Sequence, residues 1–188
     1  MTKNYLEIKN VNFKVGGKNK VKNVSFNIAN KGDIVCLLGP SGVGKTTILR
    51  TIAGLEKINS GTIKLKGNIL SSAKHHIEPE NRNISLSFQE NCLFPHYTVE
   101  KNIYLGAEKK NLNSKKKINP KNIVKFLNIG KILDKFPHQI SSGEAQRVSL
   151  ARSLIAQPDL LLLDEPLSNI DQSFKEEIQV KLKKILRD

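Results

Sequence analysis

The sequence predicts an α/β fold, with an antiparallel β layer at the N-terminus and a mostly helical insertion interrupting the core. Three observations predict it. Residues 5–29 alternate apolar and polar side chains in two segments around the turn-forming GGKNK, the pattern of paired, half-buried strands. Two short continuous apolar runs, DIVCLL at 33–38 and LLLL at 160–163, have the character of strands buried on both faces. Between about residues 89 and 156 the apolar spacing becomes helical.

Taken in order, YLEIKNVNF and VKNVSFNI are the two opening strands, and DIVCLL is a buried strand ending at Gly39. Helix-compatible residues run from Lys45 to Ala53, and short strands follow at GTIKLKG and NISLSF. TVEKNIYLGA, PKNIVKFLNI and EAQRVSLARSLIA read as helices, with Pro120 suited to a first helical turn. DLLLLDEP returns to a buried strand, and Phe174, Ile178, Leu182 and Ile185 make the stripe of a closing helix. The expected division is a core of residues 1–88 and 157–188 around an insertion of residues 89–156, all in one domain. No internal repeat is visible.

Composition sets the bounds. With 188 residues and 38% apolar content the chain can bury a full core. Its longest apolar runs fall far short of the roughly 18 residues of a membrane span, and residues 1–10 carry no signal-like apolar core. Cys36 and Cys92 fit neither a disulfide framework nor a metal-ligand spacing, so a reducing cytoplasm is the expected compartment. The net charge of +14 invites an anionic partner. Lysines are nevertheless dispersed among asparagines, and the run from Lys109 to Lys117 reads as a solvated loop. Without tryptophan, or aromatics interleaved with lysine, no base-stacking surface is expected.

GPSGVGKTT, from Gly39 to Thr47, matches G-x-x-x-x-G-K-[ST] between an expected strand and an expected helix. Glycines let the backbone of Gly39, Pro40, Ser41, Gly42, Val43 and Gly44 curl so that amides point inward, and the helix N-terminus adds partial positive charge. Lys45 is placed to reach β- and γ-phosphates, Thr46 to ligate Mg²⁺, and Thr47 to add a phosphate contact. In LLLLDEP, Asp164 closes the apolar run where a carboxylate can hold Mg²⁺, and Glu165 follows where it can polarise an attacking water. In QISSGEAQR, Ser141 and Glu144 fit the S-x-x-E capping box ahead of the stripe Leu150, Ala151 and Leu154.

The order of these stretches resembles the nucleotide-binding domain of ATP-binding cassette (ABC) transporters across nearly the whole chain. The phosphate loop is followed by SFQE, ISSGEAQR, LLLLDEP and SNID. The resemblance implies a P-loop NTPase (RecA-like) core, ATP and Mg²⁺ as ligands, and ATP hydrolysis coupled to transport. ISSGE corresponds to the signature usually written LSGGQ, which implies that Ser141, Ser142, Gly143 and Glu144 complete the ATP site of an opposing subunit. By the same match Gln89 senses Mg²⁺ and the attacking water, and Ser168 and Asp171 lie at the dimer interface. CLFPHYTVEKNI looks like the importer branch, whose members take up ferric iron, sulfate, polyamines, maltose and similar solutes, with ferric iron the first expected one. Expected partners are a second ATPase subunit, membrane permease subunits and, indirectly, a solute-binding protein. The expected location is peripheral, on the cytoplasmic face of the cell membrane.

Several positions depart from that pattern. Ser142 stands where the signature usually has its first glycine, and Glu144 where it has glutamine. The adenine-stacking aromatic falls on Val15, with Phe13 two residues away on the same strand face. The family closes its site with a histidine on a further strand, whereas His75, His76, His96 and His138 all precede Asp164. The chain is therefore expected to be C-terminally incomplete. Two other functions stay open on these residues: a nucleic-acid-associated ATPase of the same superfamily, suggested by the charge, and a nucleotide-binding module without hydrolysis, suggested by the absent histidine.

Overall fold

Apolar parity switches inside the first strand, and the backbone accommodates it with a bulge. Leu6 and Ile8 occupy even positions and Val11 and Phe13 odd ones, yet all four are 1–2% exposed. The register shifts between Ile8 and Val11, where Asn10 adopts φ 49°, so one extra residue returns the odd positions to the core face. The computed structural model describes residues 4–15, 18–88, 90, 92–108, 118–169 and 172–187, with backbone only at 14, 15, 18–20, 106–108, 172, 173 and 183–187.

Strands β1 (Leu6–Val15) and β2 (Lys18–Ile28) pair antiparallel, as the alternation predicts. β3 (Ser60–Leu65) pairs with β1, and β4 (Asn68–Ser72) pairs with β3, giving the order β2-β1-β3-β4. β4 was not among the predicted strands; its signal is the Lys66–Gly67 turn, both residues at positive φ, ahead of NILSS. Helix α1 (Lys45–Ala53) takes the predicted boundaries. Its buried residues Ile52 and Ala53, together with Ile58, Ile63, Leu65 and Leu70, supply further core on this side of the chain.

The expected strand at 33–38 does not form. Ile34, Val35 and Leu38 are 46%, 50% and 91% exposed, Cys36 is exposed, and no ladder engages this segment among the described residues. An apolar run expresses a preference for burial, but an extended backbone becomes a strand only when a neighbour takes up its N–H and C=O groups. That neighbour is not encoded in the run.

Residues up to Asn83 form one compact unit and Ile84–Ile185 the other. The second contains β5 (Ile84–Ser87) and β6 (Leu160–Leu163) as a parallel pair, Ile84 opposite Leu160 and Ser87 opposite Leu163. It also contains α2 (Val99–Glu108), α3 (Pro120–Phe126), α4 (Ser142–Ile155) and α5 (Gln172–Arg187). Pro120 opens α3 as predicted, and Asn119 caps it by accepting from the Lys121 amide at 3.0 Å. α4 packs against α2, α3 and β5. Val148, Leu150 and Ala151 are fully buried and Leu154 is 2% exposed, each such side chain contributing about 1.5–3 kcal/mol for the larger aliphatics. The compact units thus do not coincide with the core and insertion drawn from sequence: residues 84–88 and 157–185, expected in the core, group with the residues of the expected insertion, β5 lying against α4. In the closing helix, Ile178 and Leu182 are buried; Ile185 lies outside the described side chains.

Candidate functional site

The phosphate loop curls as its glycines permit. Gly42 and Gly44 sit at φ 80° and 104°, and a Cβ at Gly44 would lie 2.5 Å from Val21 Cγ2. Gly44 is the N-cap of α1 and offers no side-chain cap, so the first-turn amides of Lys45, Thr46 and Thr47 meet no side-chain acceptor there. The Lys45 ammonium donates to the Gly39 and Pro40 carbonyls at 2.8 and 3.0 Å, which folds the cation back over the loop. Gly39, Pro40, Ser41, Gly42, Val43 and Thr46 are exposed. Uncapped amides, the helix dipole and one ammonium meet at this exposed loop, the arrangement that suits an anion.

At its other end α1 is held by Arg82. This residue is 5% exposed and has no carboxylate within ion-pair distance among the described residues. Its guanidinium donates to Ile77 O (2.7 Å), Thr51 O (3.3 Å), Ile52 O (2.8 Å), Leu70 O (3.2 Å) and Ser71 Oγ (2.7 Å). The guanidinium N–H groups meet these five oxygens, including last-turn carbonyls of the helix, and Nη2 also lies 3.4 Å from His76 Nδ1. Burial lowers its pKa to about 10, still well above neutrality, with Glu78 opposing the shift. Gly54, the αL cap of the helix, leaves the room required: a Cβ there would lie 2.6 Å from Arg82 Nε. The sequence reading missed Arg82, since an arginine beside Asn81 and Asn83 looks like a solvated turn.

Phe13 corrects an expectation. It is 1% exposed and faces Val21 across the β1–β2 ladder, so its ring is core and offers no face to adenine. The bulge is the reason, since it turns the odd positions inward. Val15 is described as backbone in β1 only, so a stacking contact there lies outside the described side chains.

In the second unit the acidic pair follows β6. Asp164 is 8% exposed and its amide donates to Ser87 O at 3.0 Å, continuing the β5–β6 ladder by one step. Glu165 is exposed and adopts φ 47°, so the chain leaves the strand through a left-handed residue. Successive residues that differ in this way have different duties open to them: Asp164 is fixed and sheltered, and Glu165 is solvent-facing. Gln89 and Asp171 lie outside the described residues, as does the lysine run 109–117. Ser168 is exposed in the turn that follows Glu165, and its amide donates to Glu165 O at 3.2 Å.

The capping box at α4 forms as the sequence predicts. Ser141 is the N-cap; its Oγ accepts from the Glu144 amide at 3.2 Å, and Glu144 Oε2 accepts from the Ser141 amide at 2.8 Å. Ser142 is exposed on the first turn. At Gly143 a Cβ would lie 2.8 Å from Asn169 O, so the helix start approaches the turn after β6 as closely as backbone allows. The hydrogen bond from the Ser141 backbone holds the Glu144 carboxyl below the ordinary glutamate range, against a smaller desolvation effect. A lowered folded pKa contributes stability above the unfolded value, and that contribution is lost as pH falls through the folded one. Glu144→Gln keeps an N3 acceptor that does not titrate. In thermal melts the stability advantage of the native chain over Glu144→Gln is therefore expected at neutral pH and is lost as pH falls from the ordinary glutamate range through the lowered folded pKa.

Two polar side chains organise the segment after residue 91. Asn102, fully buried, donates to the carbonyls of Phe94, Tyr97 and Thr98, each at 3.1 Å, and accepts from the Phe94 amide at 2.9 Å. Arg152 of α4 donates to Cys92 O at 3.1 Å and lies 6.0 Å from the Phe94 ring. Burial lowers the Arg152 pKa from its ordinary value.

A family model described as ABC transporter matches residues 21–168. The Fe(3+) ions import ATP-binding protein FbpC of Haemophilus influenzae is 39% identical over 183 residues, covering 97% of this chain and 52% of that protein. The spermidine/putrescine import ATP-binding protein PotA of Pseudomonas aeruginosa is 41% identical over 191 residues, covering 100% of this chain and 51% of that one. The chain spans about half the length of the curated relatives it matches. Among solved structures, the ATP-binding cassette MJ0796, a dimer bound to ADP and Pi in a post-hydrolysis state, superposes with a TM-score of 0.79 at 28% identity. The superposition covers 96% of this chain and 82% of that chain. The P-loop α/β architecture expected from sequence is the architecture of these neighbours. The matched span runs without interruption through the phosphate loop, the capped start of α4 and the acidic pair, and the chain belongs to the ABC transporter family.

Proposed function

We propose that this chain is the ATP-binding and hydrolysing motor subunit of a solute importer. The observation that carries the proposal is the uncapped N-terminus of α1 beneath a glycine loop, with Lys45 at its mouth. On binding MgATP, Lys45 exchanges two carbonyl acceptors for β- and γ-phosphate oxygens, which are charged and so the stronger partners. Thr46, Asp164 and Gln89 are the residues to hold Mg²⁺. Hydroxyl, carboxylate and amide oxygens form the hard donor set that ion takes, and Thr46 lies exposed on the first turn where the phosphates arrive. The ion supplies charge neutralisation between the phosphates. Glu165 orients and deprotonates the attacking water.

Two subunits bring the phosphate loop of one to the α4 start of the other. Ser141 suits that task because its Oγ accepts from the Glu144 amide and so keeps its own O–H to donate to a phosphate oxygen. Gly143 adds an amide from the orphan donors of the first turn. The Glu144 carboxylate is turned back onto the Ser141 amide, which limits its repulsion of the triphosphate. Hydrolysis in such a pair is coupled to permease subunits at the membrane surface, with a solute-binding protein engaged only through them. The similar relatives are named for Fe(3+), spermidine/putrescine and sn-glycerol-3-phosphate import at 39%, 41% and 37% identity. That spread supports import as a class and does not favour ferric iron over the others.

Titration with MgATP tests the proposal. Saturable binding is expected, weakened at least about tenfold in Lys45→Ala, since a charge-assisted contact to each of two phosphates is removed. No saturable binding in the native chain, or equal binding in the variant, overturns it.

A further inference from the structure

We infer that Gln146 is a positioning residue for Glu165, tying the start of α4 to the hydrolytic turn of the same chain. Gln146 is 2% exposed and stands three residues after Gly143, on the same face of α4. Its carboxamide is committed to the turn after β6. Nε2 donates to Glu165 O at 3.1 Å and to Ser168 Oγ at 3.0 Å, and Oε1 accepts from the Asn169 amide at 2.9 Å.

A buried glutamine with satisfied hydrogen bonds is commonplace, so satisfaction alone assigns it nothing. The partners decide the matter here. Glu165 is a non-glycine residue held at φ 47°, a conformation that persists only where surrounding contacts over-determine it. The Gln146 donor on its carbonyl is one such contact, and the Ser168 amide is a second. Gly143 reinforces the junction from one helical turn away, because only a residue without Cβ lets Asn169 O approach so closely. Residues 165–169 therefore ride on the first turn of α4 as a single piece.

This assignment rests on the proposed function, in which Glu165 acts on water and the α4 start meets a phosphate bound to the second subunit. Under that reading, engagement of one nucleotide by Ser141 and Gly143 fixes, through Gln146, the carboxylate that acts on the other nucleotide. The coupling element is a side chain with no contact to either ligand.

The test uses Gln146→Met and Gln146→Glu in the full chain, both close in size to the native residue, with Glu165→Gln alongside. Methionine removes donor and acceptor; glutamate keeps the acceptor for the Asn169 amide and removes the donor to Glu165 O. Expected are a fall in kcat of at least about tenfold in both variants with KM for ATP within about twofold. Without nucleotide, faster amide hydrogen exchange at Asn169 is expected in Gln146→Met only. A merely structural role moves KM and kcat together and makes the two exchange patterns alike, and either result overturns the inference. So does a kcat within about twofold of the native value in both variants. Undiminished hydrolysis in Glu165→Gln removes the carboxylate from the base role whatever the Gln146 variants do, while the Asn169 exchange pattern still reports on the junction itself.

Discussion

Glu165→Gln is expected to bind MgATP within about twofold of the native chain and to hydrolyse it about 10²–10⁴-fold more slowly, the usual contribution of a positioned general base. The proposed function assigns the two properties to different groups: nucleotide grip to the α1 N-terminus and Lys45, and water activation to Glu165. Its backbone is fixed by Gln146 and by the Ser168 amide, so exchanging one carboxylate oxygen for NH₂ leaves the left-handed turn in place. The amide side chain cannot accept a proton from water at neutral pH. Single-turnover phosphate release, compared with equilibrium nucleotide binding, reads both properties at once. Full turnover in the variant assigns the base role elsewhere.

Arg82→Met is expected to destabilise the chain by about 3 kcal/mol, since a buried acceptor left without a donor costs about 1–3 kcal/mol and some of these acceptors keep a backbone donor. At about 2–4 °C per kcal/mol for a chain of this size, the melting temperature should fall by roughly 10 °C. The reason lies in the matching of donors to acceptors. Methionine fills similar space but leaves the carbonyls of Thr51, Ile52, Leu70 and Ile77 and the Ser71 hydroxyl without the partner that now serves all five. Arg82→Lys should recover only part of the loss, since an ammonium has three donors and no planar fork. The effect should reach the phosphate loop as well. α1 is short, about 13 Å at 1.5 Å per residue, and releasing its C-terminal end frees the loop at the other. A melting temperature within about 2 °C of native for Arg82→Met shows that the network carries no net stability.

How far the site could be read in advance depended on where each group finds its partners. The curl of the glycine loop at Gly42 and Gly44, α1 from Lys45 to Ala53, and the Ser141–Glu144 box matched expectation because each is completed by atoms within a few residues, unlike the strand expected before the loop. Asp164 at the end of β6 matched as well, the parallel β5–β6 pair holding its amide. Phe13 was misjudged because a single bulge reversed strand parity, and a bulge at Lys9–Asn10 has no strong local signature. Arg82, Asn102 and Gln146 were passed over for a shared reason. Each is a polar residue whose partners lie elsewhere in the fold, and without those partners on view it looks like ordinary surface. The nearest available cue was contextual: a glutamine one helical turn past the signature glycine, and an asparagine one turn into a helix.

By itself, then, the sequence determined the family, the curl of the glycine loop, the helix caps and the order of the chemical groups, because glycine torsions and helix caps act over one or two turns. Tertiary structure alone decided that Ile34, Val35 and Leu38 stand exposed, that Phe13 is core, that Arg82 anchors α1, and that Gln146 grips the turn of Glu165. Burial and hydrogen-bond satisfaction are properties of pairs. A residue's own chemistry fixes what it can bond to, and only the packed chain brings a partner within 3 Å or withholds one.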